Sequence, residues 1–315
     1  MTNPPPILLA IPTYRRTELL PPLIEVLRAE GGTVAHPTRI LVVDNDPDRS
    51  AEPVAEEADV AYLAEARPGI AAVRQAALDA AAADELVAMI DDDVMPEPGW
   101  LAGLVDVWTA VRPTAVVGFV RYVWPEGTDP WIAAGGFLRR NRPPSGTLLS
   151  SLSTGSVLFD AAEMRRLGVA FDRTLGLVGG EDMLLGRDLL ARGGTIAAAS
   201  DSVARDEIPE SRATRAFVRR RTISQGQART AILTRDGSVL RRLAARTLAL
   251  GGGVVRLAAF GTGAALAALR RDVAANAVLR RRTWFAQGRI LGAVGRITPE
   301  YARPVPAARD PREEA

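Results

Sequence analysis

The side chains best equipped for chemistry in this chain are carboxylates, and they come in clusters. Leu86-Val-Ala-Met-Ile90 is a short apolar run that stops in three consecutive acids, Asp91, Asp92 and Asp93. Such a run reads as a buried strand, and Pro96 and Pro98 stop its continuation. Three adjacent carboxylates repel one another when poorly solvated, so a cation, hydrogen-bond donors or open water must compensate. A hard divalent ion is one solution and a solvated acidic turn is the other. A second cluster, Asp44-Asn-Asp46, ends the run that begins at Arg39, and Pro12-Thr-Tyr14 ends the run that begins at Ile7. A third acidic pair lies in Gly179-Gly-Glu-Asp182. There two glycines permit a tight approach, and Glu181 and Asp182 in a first helical turn interact well with the helix dipole.

Composition narrows the chemistry further. The 315 residues include no Cys and one His, His36, which excludes disulfides and thiolate metal sites and leaves acids and backbone groups as the reactive inventory. All 39 basic residues are Arg. Net charge is only +2, yet residues 212 to 296 hold 18 Arg against two acids, Asp236 and Asp272, so the C-terminal third carries a positive field suited to phosphates. No charged leader with an apolar core opens the sequence, which makes a cytoplasmic location the expectation.

Stepping outward from the acids, the apolar runs at 7–12, 39–44, 60–63, 86–90 and 115–123 read as strands. Helical spacing of Leu19, Leu20, Leu23, Ile24 and Leu27 predicts a helix capped by Thr17 and ended by Gly31 and Gly32, with Pro21 and Pro22 admissible only in its first turns. Further helices are expected over 70–83 and 100–111. Strands alternating with helices in units of roughly 30 residues argue for an α/β fold with a mainly parallel sheet covered on both faces. In open sheets of this kind ligands bind beyond the carboxyl ends of the strands, where Pro12-Thr-Tyr14, Asp44-Asn-Asp46 and Asp91-Asp-Asp93 all fall.

Five segments occur in a telling order: Ile11-Pro-Thr-Tyr-Arg15, Val42-Val-Asp-Asn-Asp46, Arg67-Pro-Gly-Ile-Ala-Ala-Val-Arg74, Ile90-Asp-Asp-Asp93 with Pro98-Gly-Trp100, and Gly179-Gly-Glu-Asp182. Together they resemble the inverting glycosyltransferases of family 2, over about residues 7 to 230. The resemblance implies a GT-A fold with a Rossmann-like mixed sheet. It also implies transfer of a sugar from a nucleoside-diphosphate sugar, UDP-, GDP- or dTDP-linked, to a hydroxyl on a glycan, lipid-linked or small-molecule acceptor, with Mn²⁺ or Mg²⁺ as cofactor.

By the same resemblance Pro12, Tyr14 and Asp44 line the base and ribose pocket, and Arg67 and Arg74 lie near the nucleotide and its phosphates. Asp91 addresses the ribose and Asp93 the metal, with Asp92 close to the donor in no defined role. Asp182 is the general base, with Glu181 beside it. Ser153-Thr-Gly-Ser-Val-Leu-Phe159 resembles the small-residue turn ahead of a strand in the acceptor region. Two features depart from the family pattern. Arg15 stands where Asn is commoner. Asp206 or Glu207, within Val203 to Pro209, stands where many relatives have a metal-ligating His, and either carboxylate is a suitable oxygen ligand. A basic segment follows Arg212, and Arg220, Arg221 or Arg229 has the fork geometry suited to a diphosphate.

The expected organisation is a catalytic domain at 1–235, with a donor half at 1–112 and an acceptor half at 113–235, a C-terminal helical region at 236–303 and a disordered tail at 304–315. Within 248–269 the only charge is Arg256, but a spanning helix needs about 20 strongly apolar residues and a central Arg costs about 2.5–3.5 kcal/mol. Helices packing on the catalytic domain, on a second subunit of a homodimer or on the bilayer surface are therefore expected, the last at the inner face of the plasma membrane. Nucleic acid is not an expected partner. Two other functions fit an acidic α/β site: nucleotidyl transfer to a sugar phosphate, for which the glycine-rich basic loop is missing near Pro12, and non-catalytic nucleotide-sugar binding.

Overall fold

A computed structural model of the chain describes residues 3–175 and 179–296. The expected tail at 304–315 lies outside the described residues. Eight strands are present among them: β1 (Ile7–Thr13), β2 (Thr38–Asp44), β3 (Ala61–Ala64), β4 (Leu86–Ile90), β5 (Val94–Pro96), β6 (Ala115–Val123), β7 (Ser156–Asp160) and β8 (Ile196–Glu207). They form one mixed sheet in the order β3-β2-β1-β4-β7-β6-β8-β5. The first four in that order are parallel, β7 runs antiparallel to both β4 and β6, and β8 returns parallel to β6.

The two-residue period of a strand explains how the sheet divides the apolar residues. Ile7, Leu9 and Ile11 of β1 face one core with α1 (Leu20–Gly31), α2 (Glu52–Glu57) and α4 (Trp100–Val111). Leu8 and Ala10 face the other, with α3 (Ile70–Asp79), α6 (Ala161–Leu167) and α7 (Glu181–Ala191). Both faces are therefore covered, as the strand pattern predicts. Pro21 and Pro22 fall in the first turn of α1, where missing N–H groups cost little. Thr17 is not the cap expected of it; it begins a short 3₁₀ turn ahead of the helix. Glu30 at the end of α1 instead caps α4, its carboxylate accepting from the Gly99 and Leu101 amides at 3.0 and 2.8 Å.

The strand expected to end at Asp93 resumes at once. Val94–Pro96 pairs antiparallel with β8, setting Val94 opposite Asp206. As the outermost strand, β5 tolerates Pro96, which has no N–H to give to a further neighbour. This pairing brings Asp93 next to Asp206 from more than a hundred residues away in sequence.

Beyond α5 (Pro130–Gly135), three long helices complete the described chain: α8 (Arg215–Leu233), α9 (Val239–Leu269) and α10 (Val273–Ala293). Helices α8 and α10 meet through glycines. A Cβ on Gly288 would fall 2.1 Å from the Ile223 carbonyl oxygen, and one on Gly292 would fall 2.7 Å from that of Gln227. Helix α10 is also fastened to α5, where the Trp131 indole donates to Asn276 Oδ1 at 2.7 Å and packs tilted against the Trp284 ring at 5.7 Å. Helix α9 buries small residues, Ala249, Gly253, Ala264 and Ala267, and leaves Leu240, Leu243, Leu248, Val255 and Leu269 exposed. By length and composition α9 is able to cross a bilayer, and only 17% of its most apolar stretch is buried.

Candidate active-site cleft

The carboxyl ends of β1 and β4 open into a cleft of about 440 Å³, closed on its far side by α7, β8 and α8. All three aspartates of the β4 turn line it, and each is answered by a guanidinium. Asp91 accepts from Arg74 Nη2 at 2.7 Å. Arg16 Nη1 donates to Asp92 at 2.8 Å and to Asp93 at 2.9 Å. Arg212 approaches Asp93 at 3.4 Å. Gly155 gives Asp91 its space, since a Cβ there would stand 3.1 Å from the Asp91 carboxylate.

Asp92, which the sequence leaves without a role, is the buried member of the three. It also accepts from Thr13 Oγ1 at 2.8 Å, tying the end of β1 to the end of β4. Burial pushes its carboxyl up to about 6, with Asp93 adding to the shift and Arg16 and Thr13 opposing it.

The acidic pair at the start of α7 divides in two. Gly180 precedes the helix in a left-handed conformation, φ +89°, which favours glycine. Glu181 turns inward and meets Arg74 Nη1 at 2.5 Å, with both side chains nearly inaccessible. Arg74 thereby bridges Glu181 and Asp91 and locks α7 to the β4 turn. Asp182 stays half-exposed in the cleft, where its Oδ1 accepts from the Met183 amide at 2.7 Å and no guanidinium pairs with it among the described residues. The adjacent positions thus differ in kind: Glu181 is sequestered in an ion pair, and Asp182 is open to a ligand.

Asp206 lines the cleft beside Asp93. Burial pushes its carboxyl up to about 6, and the charges of Asp93 and Asp91 add to that against Arg212 and Arg221. Its Oδ1 is buried without a hydrogen-bond partner. An unsatisfied carboxylate oxygen facing a second carboxylate suits a cation. The described residues hold no group of three or more acids or histidines close enough to form a complete metal cage. Two carboxylates nevertheless fit Mg²⁺ or Mn²⁺, which typically takes one or two protein acids and completes its shell with water and substrate phosphates.

Several sequence expectations meet the cleft and others do not. Pro12, Tyr14, Arg74 and Arg221 line it. Asp44 is fully buried away from it, accepting from the Asp46 and Ala51 amides at 2.8 and 2.9 Å and from the Tyr62 hydroxyl at 3.2 Å. It orders the loop after β2. Its neighbour Asn45 reaches the cleft and holds the turn before α3, accepting from the Gly69 amide and donating to the Glu65 and Arg67 carbonyls. Arg67 is paired with Glu65 outside the lining. Arg15 turns away to Asp46 and Asp48, leaving Arg16 to face the aspartates. Among the lining arginines, Arg16, Arg140 and Arg212 carry no role in the sequence analysis. Only the double Arg after Tyr14 offers a hint of the first.

A mixed sheet whose carboxyl edge gathers an acidic turn, basic side chains and an open carboxylate at a helix start has the architecture of a GT-A nucleotide-sugar fold. Residues 9–165 match the family described as Glycosyl transferase family 2. The succinoglycan biosynthesis protein ExoM of Rhizobium meliloti (strain 1021) is 30% identical over 239 residues, covering 73% of this chain and 76% of that protein. The chain belongs to glycosyltransferase family 2 and is a glycosyltransferase. Among solved structures, the mannosyltransferase PcManGT from Pyrobaculum calidifontis, in complex with GDP-Man and Mn²⁺, aligns with TM-score 0.57 at 19% identity, over 90% of this chain and 87% of that one. GalNAc-T7 with UDP, GalNAc and Mn²⁺ aligns with TM-score 0.50 at 14% identity over 72% of this chain. The chain spans 50% of that protein, and at 19% and 14% identity these two likenesses speak for the GT-A fold alone.

Proposed function

We propose that this glycosyltransferase moves a sugar from a nucleoside-diphosphate donor to an acceptor hydroxyl with inversion, in the cleft between the β4 turn and α7. The observation that carries the reading is the open carboxylate of Asp182 set across one cleft from the acidic turn at Asp91–Asp93. Asp182 takes the proton of the acceptor hydroxyl as that oxygen attacks the anomeric carbon, from the face opposite the departing diphosphate. Arg16, Arg212, Arg220 and Arg221 bind and orient the diphosphate oxygens through charge-assisted hydrogen bonds. Asp93 and Asp206 would hold a divalent cation, which when bound supplies Lewis-acid stabilisation of the charge on the leaving group. Pro12, Tyr14 and Asn45 form the nucleoside end of the cleft, and Asp91, held by Arg74, addresses the ribose. Complexes of GT-A-fold neighbours with GDP-Man, UDP and Mn²⁺ lend support to this choice of donor class and ion.

Residues 1–235 carry the catalysis in this reading, with the donor half at 1–112 and the acceptor half at 113–235, and α9 and α10 within 236–303 are auxiliary. The exposed aliphatic face of α9, flanked by Arg241, Arg242, Arg270 and Arg271, favours peripheral contact with anionic lipid at the cytoplasmic face of a membrane.

Turnover of a panel of nucleotide sugars with Mn²⁺ tests the reading. Asp182→Asn and Asp93→Ala should each lower turnover by about 10²-fold or more, with nucleoside-diphosphate binding retained in Asp182→Asn. Undiminished turnover in both variants would sink the mechanism. Release of inorganic diphosphate from a nucleoside triphosphate would point to nucleotidyl transfer, and donor binding without turnover in the wild type to a binding module.

A further inference from the structure

A second cavity, about 570 Å³, adjoins the cleft and is walled by the loop after α5 together with α8, α9 and α10. Its lining contains seven arginines and no acid. Two of them, Arg140 and Arg221, line the catalytic cleft as well, as do Tyr122 and Leu138, so the two spaces share a wall. The charges of Asp182 and Asp91 also act on Arg140.

The other five arginines are Arg139, Arg256, Arg281, Arg282 and Arg289. None is ion-paired with a carboxylate among the described residues, although elsewhere in the chain most buried or half-buried acids find an arginine. Their contacts are makeshift for charged groups. Arg281 donates to the Gly136 carbonyl, Arg256 to the carbonyl of Gly252 in its own helix, and Arg282 lies over the Phe260 ring at 5.6 Å. The Nε of Arg289 is buried with no partner. Burial and the neighbouring arginines lower the pKa of Arg281 and of Arg289, as expected for cations gathered without a counter-ion. Arg281 and Arg289 are half-buried and the other three are exposed, so the cluster is open to an anion from solution that would neutralise it.

The number of guanidiniums and their fork geometry suit several phosphate oxygens at once. Phe137, Phe260 and Phe285 put apolar surface beside them, fit for an alkyl chain or a sugar face. We propose that this cavity is an anion site that seats a phosphoryl or diphosphate group carried by the acceptor, and so presents the acceptor hydroxyl to Asp182. The inference rests on the glycosyl-transfer reading. The acceptor phosphate is held and not transferred: the one bond formed joins the sugar to the acceptor oxygen, and the one broken releases the nucleoside diphosphate.

The test is calorimetric titration of inorganic pyrophosphate, in EDTA and at fixed ionic strength, into protein already saturated with whichever nucleoside diphosphate it binds. Arg281→Gln and Arg289→Gln should each weaken the pyrophosphate Kd about tenfold or more, the loss of one charge-assisted contact. Arg282→Gln, at an exposed position, keeps the test alive should either half-buried variant fail to fold. Arg270→Gln, in the same basic region but outside the cavity, should change nothing, and nucleoside-diphosphate affinity should hold within about twofold throughout. A second titration with farnesyl diphosphate separates the sources of the phosphate. Tenfold tighter binding than pyrophosphate assigns the site to a lipid-linked diphosphate, and equal binding to a soluble phosphorylated acceptor. Pyrophosphate affinity unchanged in the cavity variants, or reduced equally in Arg270→Gln, overturns the proposal. A wild type that binds no nucleoside diphosphate would overturn the glycosyl-transfer reading instead, and pyrophosphate titrated into the empty protein would still decide the anion site.

Discussion

Arg74 is a single side chain on which two parts of the catalytic cleft depend. Its guanidinium is 5% exposed and spans Glu181, 6% exposed, and Asp91, 29% exposed. Arg74→Met would remove the guanidinium that answers the buried Glu181 charge, at a cost of about 3–5 kcal/mol. The loss at the more exposed Asp91 adds about 1 kcal/mol or less. Against a total stability of about 5–15 kcal/mol that is a large fraction. Glu181→Gln is milder, about 1–2 kcal/mol, because the amide oxygen still accepts from Arg74 and the guanidinium keeps Asp91. The double variant removes the Glu181 charge together with its guanidinium, so it should be more stable than the sum of the single changes by about 1–3 kcal/mol. Urea unfolding followed by tryptophan fluorescence measures all four proteins, with the wholly buried Trp100 among the reporters. Turnover supplies the second readout: Glu181→Gln should retain most activity while Asp182→Asn does not. If Glu181→Gln abolished turnover without loss of stability, the division between a structural Glu181 and a reactive Asp182 would be wrong.

Two further outcomes follow from the geometry. Asp206 has its folded pKa raised to about 6, above the ordinary value of about 3.9, so ionising it opposes folding. The metal-free protein should gain stability from this group as pH falls from 7 through 6 towards 4. Asp206→Asn should be more stable than wild type at pH 7.5, with the difference gone by pH 4, as read by denaturant unfolding in EDTA. At the α8–α10 contact, Gly288→Val has nowhere to place its side chain against the Ile223 carbonyl and should cost about 3 kcal/mol or more. Gly261→Ala on α9, where an added Cβ meets nothing within 4 Å, should instead stabilise by about 1 kcal/mol, both being measurable by thermal melting.

Periodicity and strand-end acids made the first half of the fold legible, because β1, β2 and β4 are uninterrupted apolar runs whose polar ends fall where a parallel sheet binds ligands. The acidic turn was legible for the same reason, whereas Asp182 was singled out by the Gly-Gly-Glu-Asp segment at a helix start and by the family resemblance. Polarity does not reveal direction, however. Asp44 and Asp91 look alike in sequence, yet the chain after Asp44 folds back and supplies two amides to its carboxylate, while Asp91 faces the cleft. Glu181 and Asp182 differ only through Arg74, whose position 107 residues earlier carries no local signal. Strand β5 escaped because three residues that follow an acid and end in a proline have no period of their own; its pairing with β8 supplies the hydrogen bonds that hold it. The arginine cavity escaped as well, since its walls come from four separate segments.

The glycine contact between α8 and α10 bears on where this chain can be divided. Helix α8 lends one side to the cleft through Arg221 and Ser224, and turns Gly226 and Thr230 toward the C-terminal helices. A protein shortened to end at residue 235 would keep every carboxylate of the cleft and still lose the wall against which α8 is seated. Bare peptide groups at Ile223 and Gln227 would then meet water where they now meet glycine. The boundary expected at 235 therefore cuts across packing that runs on to Gly292.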